Sequence, residues 1–104
     1  MDISPKTKEG IVDINIHEES HLEEILCELV QRFGDSESED VLKQFLIERL
    51  ELKVKLHEVA FYEIDCATKK FSDVSIDYAL ERIQSREFWQ YGNQPELHVY
   101  AVNT

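Results

Sequence analysis

Glycine, proline and cysteine are scarce in this chain, with three, two and two among 104 residues. So few glycines and prolines exclude collagen-like and low-complexity architectures. They also leave little material for a glycine-rich phosphate loop, and no G-x-S-x-G, Walker A or G-x-G-x-x-G pattern occurs. No apolar run nears the ~20 residues that a bilayer-spanning helix needs. The opening MDISPKTKEG lacks the apolar stretch of a secretory signal. Cys27 and Cys66 stand far apart with no metal-type or C-x-x-C spacing. They are expected to be free thiols in a reducing, cytoplasmic setting.

Basic residues are the other shortage: 11 Lys and Arg against 22 Asp and Glu, a formal net charge of −11. The imbalance is local. Residues 9–40 hold eleven carboxylates and one base, Arg32, and so carry almost all of the net charge. Such a surface repels nucleic acid, whose binding needs Lys and Arg against phosphates. It repels anionic membranes for the same reason. A basic protein partner would instead be attracted and steered in.

What is present is enough for a core. The chain is 42% hydrophobic, with five Phe, four Tyr and one Trp, which disordered chains lack. A length of 104 residues suits one globular domain over 1–104, with residues 1–10 expected as a loosely held N-terminus. Residues 11–16, Ile-Val-Asp-Ile-Asn-Ile, alternate after the first residue and read as a short strand. Ser20 and Glu23 then form a capping box, and Leu22, Ile25, Leu26, Leu29, Val30 and Phe33 follow helical spacing up to Gly34. Ser36 and Glu39 form a second box that opens a helix through Val41, Leu42, Phe45, Leu46 and Leu50. A short turn between the two helices predicts a hairpin.

Leu50, Leu52, Val54 and Leu56 alternate with polar residues, so a strand is favoured after 50. The four-residue spacing of Leu46, Leu50 and Val54 leaves a longer second helix as the alternative. Residues 59–66 are β-rich, 67–70 read as a turn, and Phe71 begins a short return. Ile76, Ala79, Leu80 and Ile83 mark a third helix capped by Asp73 or Ser75. Residues 92–95, Gly-Asn-Gln-Pro, break the chain, and 97–102 alternate as a last strand. The expected fold class is α+β: a small, largely antiparallel sheet with an N-terminal helical hairpin and a third helix packed on it.

His17-Glu18-Glu19-Ser20-His21 has the H-E-x-x-H form of zinc proteases. That chemistry needs both histidines one turn apart on one helix face, with the Glu as base. The capping box starts the helix at Ser20 and leaves His17 outside it. No third ligand is evident either, so a metal-dependent hydrolase built on His17, Glu18 and His21 is the third-ranked reading. Cys27 lies among Glu23, Glu24 and Glu28, which disfavour a thiolate nucleophile. Cys66 suits packing as a small apolar residue. No cofactor is implied.

Phe88-Trp89-Gln90-Tyr91 concentrates three large aromatics that cannot all face inward from one element. Trp89 and Tyr91 therefore serve either the core or an interface, where such residues are enriched. Ile47, on the far side of its helix from Leu42 and Phe45, is expected to need a neighbour or partner to cover it. Glu24 and Glu28 share an outward face one turn apart, where they repel by a few tenths of a kcal/mol. Nothing in the helix itself explains them. Glu37, Glu39 and Asp40 favour the positive end of the second helix. Lys53, Lys55, Lys69 and Lys70 are too few to make a nucleic-acid surface.

The leading expectation is an acidic, stoichiometric protein inhibitor, an immunity protein or antitoxin that neutralises a basic nuclease-type toxin. Its partner-binding residues would be Glu23, Glu24, Glu28, Asp35, Glu37, Glu39 and Asp40, with Trp89 and Tyr91. The alternative is a non-inhibitory adaptor or a subunit of a larger complex.

Overall fold

The computed structural model describes residues 6–90 and 95–102. The order is α1 (Lys8–His17), α2 (Leu22–Phe33), α3 (Glu39–Lys55), β1 (Val59–Ile64), β2 (Phe71–Val74), α4 (Ile76–Gln84), a 3-10 turn (Arg86–Trp89) and β3 (Glu96–Ala101). The three strands form one antiparallel sheet in the order β2-β1-β3, and the helices pack on it as an α+β fold. Phe61 sits between Val74 and Val99 in register. Val59, Phe61, Leu97 and Val99 are buried with Ile11, Leu22, Ile25, Leu29, Leu46, Leu50 and Ile83 in a single apolar cluster. Alternate strand residues face away from it.

The first element differs from expectation. Residues 11–16 are not a strand but the body of α1, capped by Thr7, whose hydroxyl accepts the Gly10 N–H at 3.0 Å. Ile11, Val12, Asn15 and Ile16 are buried together, which is a helical pattern, while Ile14 is only half-buried. β-branched residues disfavour helix by less than about 1 kcal/mol each. Burial of one helical face therefore outweighs the propensity. Lys8 to Gly10 form the first turn of α1 rather than a loose terminus, and the Lys8 ammonium contacts both Glu37 oxygens at 2.8 and 2.9 Å.

Two caps shift by a residue or two. α2 is capped by His21, whose Nδ1 accepts the Glu24 N–H at 3.3 Å. Ser20 instead donates its hydroxyl to buried Asn15 at 2.9 Å, while its carbonyl accepts the Val99 N–H at 3.4 Å. Attachment to the edge of β3 thus takes Ser20 away from the helix start. α3 is capped by Ser38, and Ser36 closes back onto the Phe33 carbonyl. Gly34 ends α2 as expected; a Cβ there would collide with the Val30 carbonyl oxygen.

The strand expected directly after residue 50 is not formed, because α3 continues to Lys55. Leu46 and Leu50 are buried and Val54 packs against the core, so the four-residue spacing prevails over the alternation. Leu52 and Leu56 are left 45% and 55% exposed. The helix ends where His57 takes a left-handed φ of 57°, with its N–H on Val54 O and the Glu58 N–H on Lys53 O. Ile47 needs no partner, being buried in the core. Ser75, not Asp73, caps α4. Residues 92–94 of the expected chain break lie outside the described residues.

Candidate functional site

The acidic stretch is less free than its composition suggests. Glu37 is held by Lys8, and Asp13 lies 3.3 Å from Arg49 and 3.4 Å from Lys53. Glu28 accepts the buried Asn15 amide at 3.1 Å and lies 3.5 Å from Arg32. Its outward position is therefore structural, contrary to the expectation that nothing explains it. Glu24 lies 3.5 Å from His21, and Asp40 lies 3.7 Å from Lys43. Asp35 is exposed in the turn between α2 and α3. Glu24, Glu28 and Glu37 thus have intramolecular partners instead of forming one open face.

Three expected site residues do come together. Glu23 on α2, Glu39 at the start of α3 and Trp89 at the end of the 3-10 turn line a groove of about 350 Å³. Leu26, Cys27, Val30 and Gln31 complete it, all on α2. α2 supplies this wall because its apolar stripe is wider than the core fully covers: Leu26 is buried, while Val30 at the stripe's edge is only half-buried. Trp89 is half-buried; its indole N–H donates to the Ile83 carbonyl at 2.9 Å, and its ring stands edge-on to Phe88. That bond satisfies the polar atom and fixes the ring as a wall.

Burial pushes the Glu23 carboxyl above its ordinary range; nearby His21 opposes this, Glu96 adds to it and Arg82 opposes it. Among the described lining residues there is no lysine or arginine to neutralise Glu23 or Glu39. Nor is there a histidine there to serve Cys27 as a base. The groove can therefore hold an apolar side chain, or the aliphatic shank of a cationic one, with the charge directed to its acidic rim. Tyr91, the remaining expected site residue, lies outside the described residues.

The H-E-x-x-H residues are split between two helices. His17 ends α1, His21 caps α2, and Glu19 between them has a left-handed φ of 58°. Among the described residues no group of three or more His, Cys, Asp and Glu is placed to hold a metal ion. Cys27 and Cys66 are both free. No described helix is long and apolar enough to cross a membrane.

A second constellation went unnoticed in the sequence. Tyr62 on β1, Phe71 on β2 and His98 and Tyr100 on β3 form an aromatic group, in register positions opposite in phase to the buried Phe61, Leu97 and Val99. The signal was present: aromatic side chains occupied the polar phase of two alternating strands.

No protein family, curated protein or solved structure matches the chain.

Proposed function

We propose that this protein is a stoichiometric binder of a basic protein, an inhibitor of the immunity or antitoxin kind that covers the phosphate-binding surface of a nuclease-type toxin. One observation carries the reading: Glu23 and Glu39 flank an apolar groove walled by Trp89, with no cation among its described lining residues. A half-buried aromatic wall with a charged rim is the anatomy of an interface anchor. A nuclease site is built to hold phosphates, so carboxylates presented by two packed helices can occupy it competitively. A reducing, cytoplasmic location fits two free thiols.

The test is capture of the partner from the source cells, followed by an assay of that partner. The captured protein should be basic and should cleave nucleic acid, and it should lose that activity at one equivalent of this chain. Glu23→Lys with Glu39→Lys should relieve the inhibition. A partner that keeps its activity when saturated makes the chain an adaptor and overturns the inhibitor reading.

A further inference from the structure

We propose that the sheet face turned away from the helices carries an aromatic box for an arginine side chain, presented by a basic polypeptide. It lies apart from the groove and does not depend on the role assigned there.

Tyr62 is the centre of the box. The Phe71 ring lies 5.6 Å from it, tilted by 56°, and the Tyr100 ring 5.7 Å from it, tilted by 47°. These three rings, with Glu19 and Asp73, line a basin of about 300 Å³. Phe71 is 71% exposed, on an edge strand where a polar residue would leave no apolar surface in water. Folding alone gives no reason for a phenylalanine there.

Electrostatics select the ligand. Aromatic faces are negative and attract cations, most strongly where water is partly excluded. Glu19 and Asp73 add two carboxylates, and none of the described lining residues is a lysine or arginine. Rings on an open sheet also suit nucleic-acid bases, but such surfaces pair the rings with basic residues for the phosphates. Here the pairing is reversed, which favours a cation over a phosphodiester. Guanidinium fits best among cations, because its plane stacks on a ring while its edge N–H groups reach carboxylates. A quaternary ammonium has no N–H for Glu19 or Asp73.

The box is already ordered. Tyr62 stacks on His98 at 5.0 Å with an interplanar angle of 11°, and its hydroxyl lies 3.3 Å from the Glu19 carboxylate. His98 in turn is held between the Glu19 carbonyl at 2.7 Å and the Glu96 carboxylate at 3.2 Å. His98 is thus a positioning residue for both Tyr62 and Glu19. A wall fixed before binding loses little side-chain entropy when the ligand arrives.

The experiment is an NMR titration of the full ¹⁵N-labelled chain with N-acetyl-arginine amide. The comparators are the neutral isostere N-acetyl-citrulline amide, tetramethylammonium and a short oligouridine. Saturable shifts should cluster on Glu19, Tyr62, Phe71, Asp73 and Tyr100, with citrulline binding about tenfold more weakly. Phe71→Ala and Asp73→Asn, both at exposed positions, should keep the spectrum of the folded protein and each weaken arginine binding severalfold. Equal binding of citrulline, or preference for tetramethylammonium or oligouridine, overturns the proposal. So do shifts confined to Glu23 and Trp89, or an affinity unchanged in both variants.

Discussion

The helical layer and the open sheet face present opposite cases of charge. The helical layer holds most of the carboxylates, yet several answer to partners inside the molecule: Glu37 to Lys8, Asp13 to Arg49 and Lys53, Glu28 to Asn15 and Arg32. The sheet face has few acids, but Glu19 and Asp73 stand beside three aromatic rings with no cation in their basin's described lining. Net charge along a sequence therefore locates acids and not available field. What attracts a partner is the charge left after internal pairing. By that measure the groove at Glu23 and Glu39 and the basin at Tyr62 are comparable, although the groove takes both its carboxylates from the acid-rich third of the chain and the basin only Glu19.

The largest effect expected on either side of this contrast is structural. Asn15 is buried and donates to the Ile11 carbonyl at 2.8 Å and to Glu28, while accepting from Ser20. Asn15→Leu leaves the buried Ser20 hydroxyl and one Glu28 oxygen without their partner. It should cost about 2 kcal/mol in urea unfolding, the scale for stranded buried polar groups. A neutral result would mean that the helical acids are not structural, and the contrast would fail.

Next come charge reversals, which should divide the acids into two kinds. Glu23→Lys with Glu39→Lys should slow association with the basic partner about tenfold at low salt, and the effect should fade as salt rises. Glu28→Lys should do the reverse, lowering stability by about 1 kcal/mol with little change in association rate, because its partners are Asn15 and Arg32. Stopped-flow association and urea melts on the same proteins check both. On the sheet face, Phe71→Ala should change stability by less than about 0.5 kcal/mol, since that ring is mostly in water.

Legibility followed the range over which each signal acts. α2 was readable because six apolar residues keep its period without interruption, and β1, the turn, β2, α4 and β3 because alternation and turn chemistry are local. α1 was not, since Ile11, Val12 and Ile16 fit a strand until α2 and β3 are placed against them. The end of α3 was ambiguous for the same reason: only the core decides whether Val54 or Leu52 faces inward. Trp89, Glu23 and Glu39 were each suspected, but residues so far apart in sequence have no register that places them in one groove. Tyr62 and Tyr100 resembled ordinary strand aromatics, and their outward phase acquired meaning only beside Phe71.

The smallest expected effect concerns Glu23, and its sign sharpens the contrast. Burial raises its carboxyl pKa above the ordinary 4.5, chiefly by removing water from the charged form. An acid whose pKa is raised on folding binds its proton more tightly in the native state than in the unfolded one. The ionised form therefore opposes folding at pH 7, and that opposition fades as pH falls through the folded pKa and is gone below 4.5. Glu23→Gln should accordingly be slightly more stable than the wild type in urea at pH 7, with the difference closing near pH 4. Binding should have the opposite sign: a cation seated in the groove favours the ionised carboxylate, so affinity should rise with pH through the same interval and lose that dependence in Glu23→Gln. Opposite signs in the two measurements would assign Glu23 to binding and not to the fold. If the variant instead proves less stable at pH 7, His21 and Arg82 outweigh the burial, and Glu23 joins Glu28 among the acids that serve the fold.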